Sequence, residues 1–152
     1  MRANFRDAKL TIFTTLVNGK PSKDSAESIK EILIDKQLFV SRDVSEDANL
    51  KIEGASNEQK RLWDLAHKFK EYIQGHKPEA DYGLYADYLI DATKGEVRSV
   101  HFVICDSNGQ WVIVDFQNEY QSDFKSISPK TVRDCDNLVV KRIQNYLDGR
   151  GD

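Results

Sequence analysis

The residue types best suited to chemistry in this chain gather in one stretch, VHFVICDSNGQWVIVDFQN, residues 100–118. It carries His101, Cys105, Trp111 and Asp115 on two apolar runs joined by Asp106-Ser107-Asn108-Gly109. An imidazole facing a carboxylate is the smallest acid–base pair, because the carboxylate orients the ring and favours its protonated form. His101 and Asp115 are therefore the candidate catalytic pair. No nucleophile joins them. Cys105 lies four positions from His101, about 13 Å along an extended chain and too far for a Cys–His dyad. Opposed residues on neighbouring strands also stabilise a sheet by roughly 0.2–1 kcal/mol with no chemistry at all, and that is the reading preferred here.

The linker between the runs sets which residues face each other. Asp at the first and Gly at the fourth position of DSNG favour a type I turn followed by a left-handed glycine, which makes a bulged three-residue loop. That register sets Cys105 against Trp111, Val103 against Ile113, His101 against Asp115 and Ser99 against Gln117. Val100, Phe102 and Ile104 then share an apolar face with Val112, Val114 and Phe116. A two-residue Asn108-Gly109 turn would instead pair Ile104 with Ile113 and Phe102 with Asp115. It is disfavoured because it buries a carboxylate among hydrophobes, at a cost of several kcal/mol if unpaired.

Around this hairpin, Tyr82, Tyr85 and Tyr88 with Trp63 and Trp111 form a possible aromatic contact surface. Aromatic residues in strands mostly serve packing, but Trp111 together with Tyr85 or Tyr88 would anchor a partner if exposed. The candidate binding residues are thus Trp111, Tyr85, Tyr88, His101 and Asp115. His67 and His76 have no companions at metal-ligand spacing, so no metal is expected. No nucleotide-binding glycine motif and no G-x-S-x-G elbow occurs, so no cofactor is expected either. Cys105 and Cys135 are expected as two free thiols rather than a disulfide, Cys105 facing away from the helices. The terminal Arg150-Gly151-Asp152 matches an adhesion tripeptide, but three residues at a chain end recur by chance.

The elements that must position these groups are legible. The 152 residues are 39% hydrophobic and 31% charged, which suits one globular domain spanning 1–152. Lys9 to Val17 is β-branched and stops at the turn Asn18-Gly19-Lys20-Pro21. Ser22 then caps a helix to about Lys36, followed by short strands at Leu38–Ser41 and Leu50–Glu53. Ser56 and Gln59 have capping-box spacing for a helix to about Gln74, ended by Gly75 and Pro78. Strands at 82–90, 97–105 and 110–117 are too closely linked to be anything but an antiparallel meander. Asn118 to Ile127 reads as irregular, and Ser128-Pro129 starts a last helix ending near Gly149. The fold class is α+β, an α/β two-layer arrangement: a mixed sheet opening β-α-β-β, then a helix, the three-stranded meander and a C-terminal helix.

A net charge of −3 disfavours nucleic acid, which requires a basic face. No apolar run approaches the length of a transmembrane helix, about 20 residues. With a leader or lipid anchor removed the protein would be periplasmic or secreted, and without one cytoplasmic.

The strand KLTIFTTLVNG with its Ser-capped helix, KQLFV after that helix, EADYGLYADYLID, VHFVICDSNGQWVIVDF and the final amphipathic helix together resemble one group of bacterial envelope proteins. These are the curli-secretion lipoprotein CsgG, the penicillin-binding-protein activator LpoB and the amino-terminal domain of TolB. The resemblance covers most of the chain. It departs from the group in lacking an anchoring cysteine near the start and in the strength of the helix from Glu58 to Gln74. It implies a non-catalytic envelope domain that works by contacting other proteins, and it transfers no functional residue. The expectation is therefore a protein-binding domain acting through the exposed face of the meander and nearby loops. The alternatives are a small enzyme using His101 and Asp115, or a cytoplasmic inhibitor of the immunity type acting through acidic loops such as SRDVSEDAN.

Overall fold

The computed structural model describes residues 5–53, 57–91 and 93–149. Its first strand region is the expected one, interrupted at Thr14 into β1 (Lys9–Phe13) and β2 (Thr15–Val17). Leu10 pairs with Tyr82 but Leu16 with Asp87, so one extra residue is accommodated on the β1–β2 side, a bulge. Thr14 turns its amide and hydroxyl to the Ser45 carbonyl, each at 3.2 Å. Asn18 and Gly19 take φ of 51° and 79°, the left-handed pair that a tight hairpin requires. The chain then returns as β3 (Lys20–Ser22).

Ser22 caps α1 (Lys23–Asp35) by accepting from the Ser25 amide. The crossover through α1 delivers β4 (Ser41–Ser45) parallel to β1. This strand starts where the expected 38–41 strand ends, because Leu38 and Phe39 leave the sheet direction to plug the core. The expected strand at 50–53 does not form; Leu50 and Ile52 instead pack beneath α2.

Helix α2 spans Glu58–His76, and Asn57 caps it by accepting from the Gln59 and Lys60 amides. Ser56 lies outside the described residues. The helix runs through Gly75 to His76 and is capped by a left-handed Lys77 ahead of Pro78. The meander is present as β5 (Tyr82–Asp91), β6 (Glu96–Asp106) and β7 (Trp111–Gln117). A short helix that the sequence reading took for irregular chain, α3 (Ser122–Ile127), ends on Ser128 at φ 50°. Ser128 is therefore not the next cap. Thr131 caps α4 (Val132–Leu147), exchanging bonds with Asp134 in a capping box.

These strands form one seven-stranded mixed sheet of the expected α+β class. β5 lies between the β1–β2 line and β6, β7 follows β6, and β3 and β4 flank β2 and β1 at the far edge. One face carries Leu10, Ile12, Leu84, Phe102 and Ile104 against α1 and α4. The other carries Phe13, Tyr85, Val103 and Cys105 against α2. Helices thus cover both sides of β6, whose residues Ser99 to Cys105 are all buried. The meander consequently has no open face among the described residues, and what it leaves uncovered is the outer edge of β7.

Candidate functional site

The hairpin turn forms as expected. Gly109 sits at φ 81°, and the Asp106 side chain accepts from the Asn108 and Gln110 amides at 2.9 and 3.0 Å. Cys105 pairs with Trp111, again as expected. A second irregularity follows at once. Ile104 pairs with Ile113, leaving Val112 as an extra residue, and from there Phe102 faces Asp115 and His101 faces Phe116. The register that seemed too costly is therefore the one adopted, and His101 and Asp115 lie on opposite faces of the sheet. The two never form an acid–base pair.

Each finds a different partner. His101 is fully buried under α2, and its Nδ1 lies 3.1 Å from Asp87 Oδ2 on β5. Arg61 of α2 clamps the same carboxylate with two bonds, Nε to Oδ2 at 2.6 Å and Nη2 to Oδ1 at 2.9 Å. Burial pushes the Asp87 carboxyl up, but the hydrogen bonds from His101 and Arg61 and their charge hold it below its ordinary value. On the other face, Asp115 accepts from Arg142 Nε at 3.1 Å and Nη2 at 2.9 Å and from Tyr146 at 3.2 Å, all donated by α4. Burial still dominates there and leaves the Asp115 carboxyl above its usual range. Arg142 also reaches Asp123 of α3 at 2.8 Å. Both clusters are charge-satisfied struts that lock a helix to the sheet.

A third buried carboxylate was not anticipated. Asp136 of α4 accepts from Ser25 Oγ at 2.6 Å and from Tyr88 at 2.7 Å, joining α1, α4 and β5. Burial pushes its carboxyl up to about 6. A carboxyl raised on folding contributes stability below its unfolded value, near 3.9, and loses it as the pH rises through about 6. Asp136→Asn is therefore expected to raise stability at pH 8 by about 1–2 kcal/mol, after allowing for the buried amide group left without an acceptor. At pH 4 the gain should vanish. Urea titrations at the two pH values check it, and an equal effect at both would remove the ionised carboxylate from the explanation.

Of the other residues singled out in the sequence, Tyr85 and Tyr88 are buried on opposite faces, the Tyr85 hydroxyl accepting from the Leu50 amide at 3.3 Å and Tyr88 donating to Asp136. Neither can anchor a partner. Cys105 and Cys135 are free and buried in different clusters, and burial pushes the Cys105 thiol up to about 12. Trp111 is partly exposed. Its Nε1 donates to the Ala66 carbonyl at 3.0 Å, fixing the ring against α2. There it meets Trp63 and His67, with ring centres 5.5 and 5.2 Å away, and Lys70 Nζ sits 4.8 Å above it. Trp63 is 47% exposed and Tyr120, just beyond β7, 75%. This rim of α2 and β7 is an exposed aromatic patch placed along a strand edge.

On the same side of the sheet, α2 stops short of β1 and β4. It leaves a groove of about 720 Å³ floored by Thr11, Asp43 and Ser45 and walled by Tyr72 and His76. The alternation of Ser41, Asp43 and Ser45 along β4 makes that floor polar.

Sequence reasoning missed Arg61, Asp87, Arg142 and Asp136, and the two arginines had left a signal. Arg61 lies next to Leu62 on the stripe that buries Leu65 and Phe69, and Arg142 sits between Val139 and Ile143 on the buried face of α4. A charge at an apolar stripe position is a request for an opposite charge in the core.

No helix among the described residues is long and apolar enough to cross a membrane. No protein family matches the chain, and no curated protein does either. Among solved structures, the chain is similar to the lipoprotein GNA1162 from Neisseria meningitidis at 14% identity, over 91% of this chain and 97% of that one, with a TM-score of 0.40.

Proposed function

We propose that this chain is a non-catalytic protein-binding domain of the bacterial envelope, making its contacts through the rim of α2 and β7. The observation that supports this most is the exposed Trp63, packed edge-on against Trp111 and tilted against His67 beside a strand edge that pairs with nothing else among the described residues. Rigid, half-desolvated aromatic side chains contribute much contact area at little entropic cost, so they dominate binding energy at interfaces. The binding surface is thus the edge of the meander, not its face. The only acid–base candidate in the hairpin is sealed in the core as two separate struts, which leaves the rim as the better-supported site. The envelope setting rests on the resemblance of the strand and helix sequences noted above.

Cross-linking capture from fractionated native extract, comparing wild type with Trp63→Ala, tests the reading. Trp63 is exposed, so the variant retains its fold. Envelope proteins captured by wild type should be lost with Trp63→Ala. Partners retained undiminished would overturn the assignment of the rim.

A further inference from the structure

The two margins of this sheet are built differently. At one, β3 is three residues long and contains Lys20 and Pro21, and β4 carries Arg42 and Asp43. Short length, proline and outward charge are the devices by which strand edges avoid pairing with other chains. At the other margin stands β7, Trp-Val-Ile-Val-Asp-Phe-Gln, about 24 Å of strand. It contains no proline or lysine, its one charge, Asp115, is already held by Arg142, and its bulge at Val112 lies at one end, leaving Ile113 to Gln117 in regular register. Among the described residues it pairs with β6 alone. Beside it lies a recess of about 290 Å³ bordered by Phe116, Gln117, Gln121 and Tyr146. The Gln117 amide nitrogen faces Asp115, while its buried carbonyl oxygen has no donor.

The ends of β7 are complementary to one another. At the Trp111 end stand Lys70, His67 and the exposed Trp63. At the Gln117 end, Asn118 bonds Glu58 at 3.0 Å, and Glu119 and the exposed Tyr120 follow. A two-fold axis through the middle of β7 would bring each end against the other end of a second copy. Lysine and histidine would then meet glutamates, and Trp63 would meet Tyr120. An isologous contact demands this self-complementarity.

Taking the rim to be a protein-binding surface, we infer that its partner is a second copy of this chain, joined by antiparallel pairing of β7 with β7 into one continuous sheet. Hydrogen bonds along the two edges supply the ladder, and the paired aromatic ends close it on either side.

Sedimentation velocity over a concentration series, with amide hydrogen exchange followed by mass spectrometry, tests this on the unmodified protein. The expected result is a concentration-dependent dimer in which the 111–117 amides exchange more slowly as the dimer forms. The Trp63→Ala/Tyr120→Ala variant changes two exposed positions and should weaken the dimer about tenfold or more. A monomer throughout the series overturns the inference. So does a dimer in which exchange in β7 does not respond, since its contact lies elsewhere. If the protein is monomeric yet Trp63→Ala still abolishes capture of another protein, the rim remains a binding surface and only the identity of its partner is wrong. If Trp63→Ala leaves both capture and sedimentation unchanged, the reading of the rim itself fails.

Discussion

Arg61→Met should destabilise the fold by about 3–5 kcal/mol, the usual consequence of removing one partner from a buried ion pair. The methionine fills much of the same volume, so little of this loss comes from a cavity. It comes from Asp87, which is fully buried and keeps only the His101 ring as a hydrogen-bonding neighbour once the two guanidinium bonds are gone. The depressed Asp87 carboxyl contributes stability above its unfolded value, and that contribution fades as the pH falls through the folded one. The penalty for Arg61→Met should therefore shrink in acid. Adding Asp87→Asn to Arg61→Met should restore part of the loss at pH 7, because the uncompensated charge disappears. Urea unfolding of the wild type, both single variants and the double variant measures the coupling. Simple additivity would mean that the clamp contributes nothing as a pair.

Arg142→Met is expected to cost a similar amount, about 3–5 kcal/mol, for a related reason with a different pH signature. Asp115 is already raised by burial even with Arg142 bound. Without the arginine, the bonds and charge that lower it are lost, and its carboxyl rises further. A raised carboxyl contributes stability in acid and loses it as the pH climbs, so the penalty of the variant should be largest in base and shrink toward acid. Arg142 also holds Asp123 of α3, so α3 should lose amide protection before the rest of the chain unfolds. A penalty independent of pH would show that packing of the arginine stem, not its charge, secures α4 to the sheet.

Arg142 explains why the hairpin adopts a register other than the expected one. The bulged register was preferred because the other one buries Asp115 beside Phe102, a cost that holds only for an unpaired carboxylate. Its partner, Arg142, is 27 residues further along the chain. Nothing local to VHFVICDSNGQWVIVDFQN reveals it. The turn chemistry was read correctly, since Gly109 and Asp106 behave as their types require. The single extra residue at Val112 then reversed the faces of everything beyond it, as a one-residue slip in a period of two must. The tyrosines of the aromatic surface are lost for a different reason. Tyr85 and Tyr88 face opposite sides of β5, and each side is closed by a helix that the alternation of the strand does not name.

Local physics therefore determined the elements. The cap at Ser22, the Asn18-Gly19 turn, the apolar stripes and the short links of the meander are all contacts within a few residues, and the sequence states them directly; the cap of α2 is Asn57, one residue beyond the expected Ser56. Even the shift of the last cap from Ser128 to Thr131 was written there, in the Thr131–Asp134 spacing. Tertiary structure decided which polar groups meet. Arg61 with Asp87 and His101, Arg142 with Asp115, and Ser25 with Asp136 and Tyr88 each join elements distant in the chain. It also decided that Trp63 and Trp111 share an exposed rim, because only the seating of α2 across β6 and β7 brings them together. Burying a charge is affordable only where its counter-charge is buried with it, and that pairing is a property of the packed molecule.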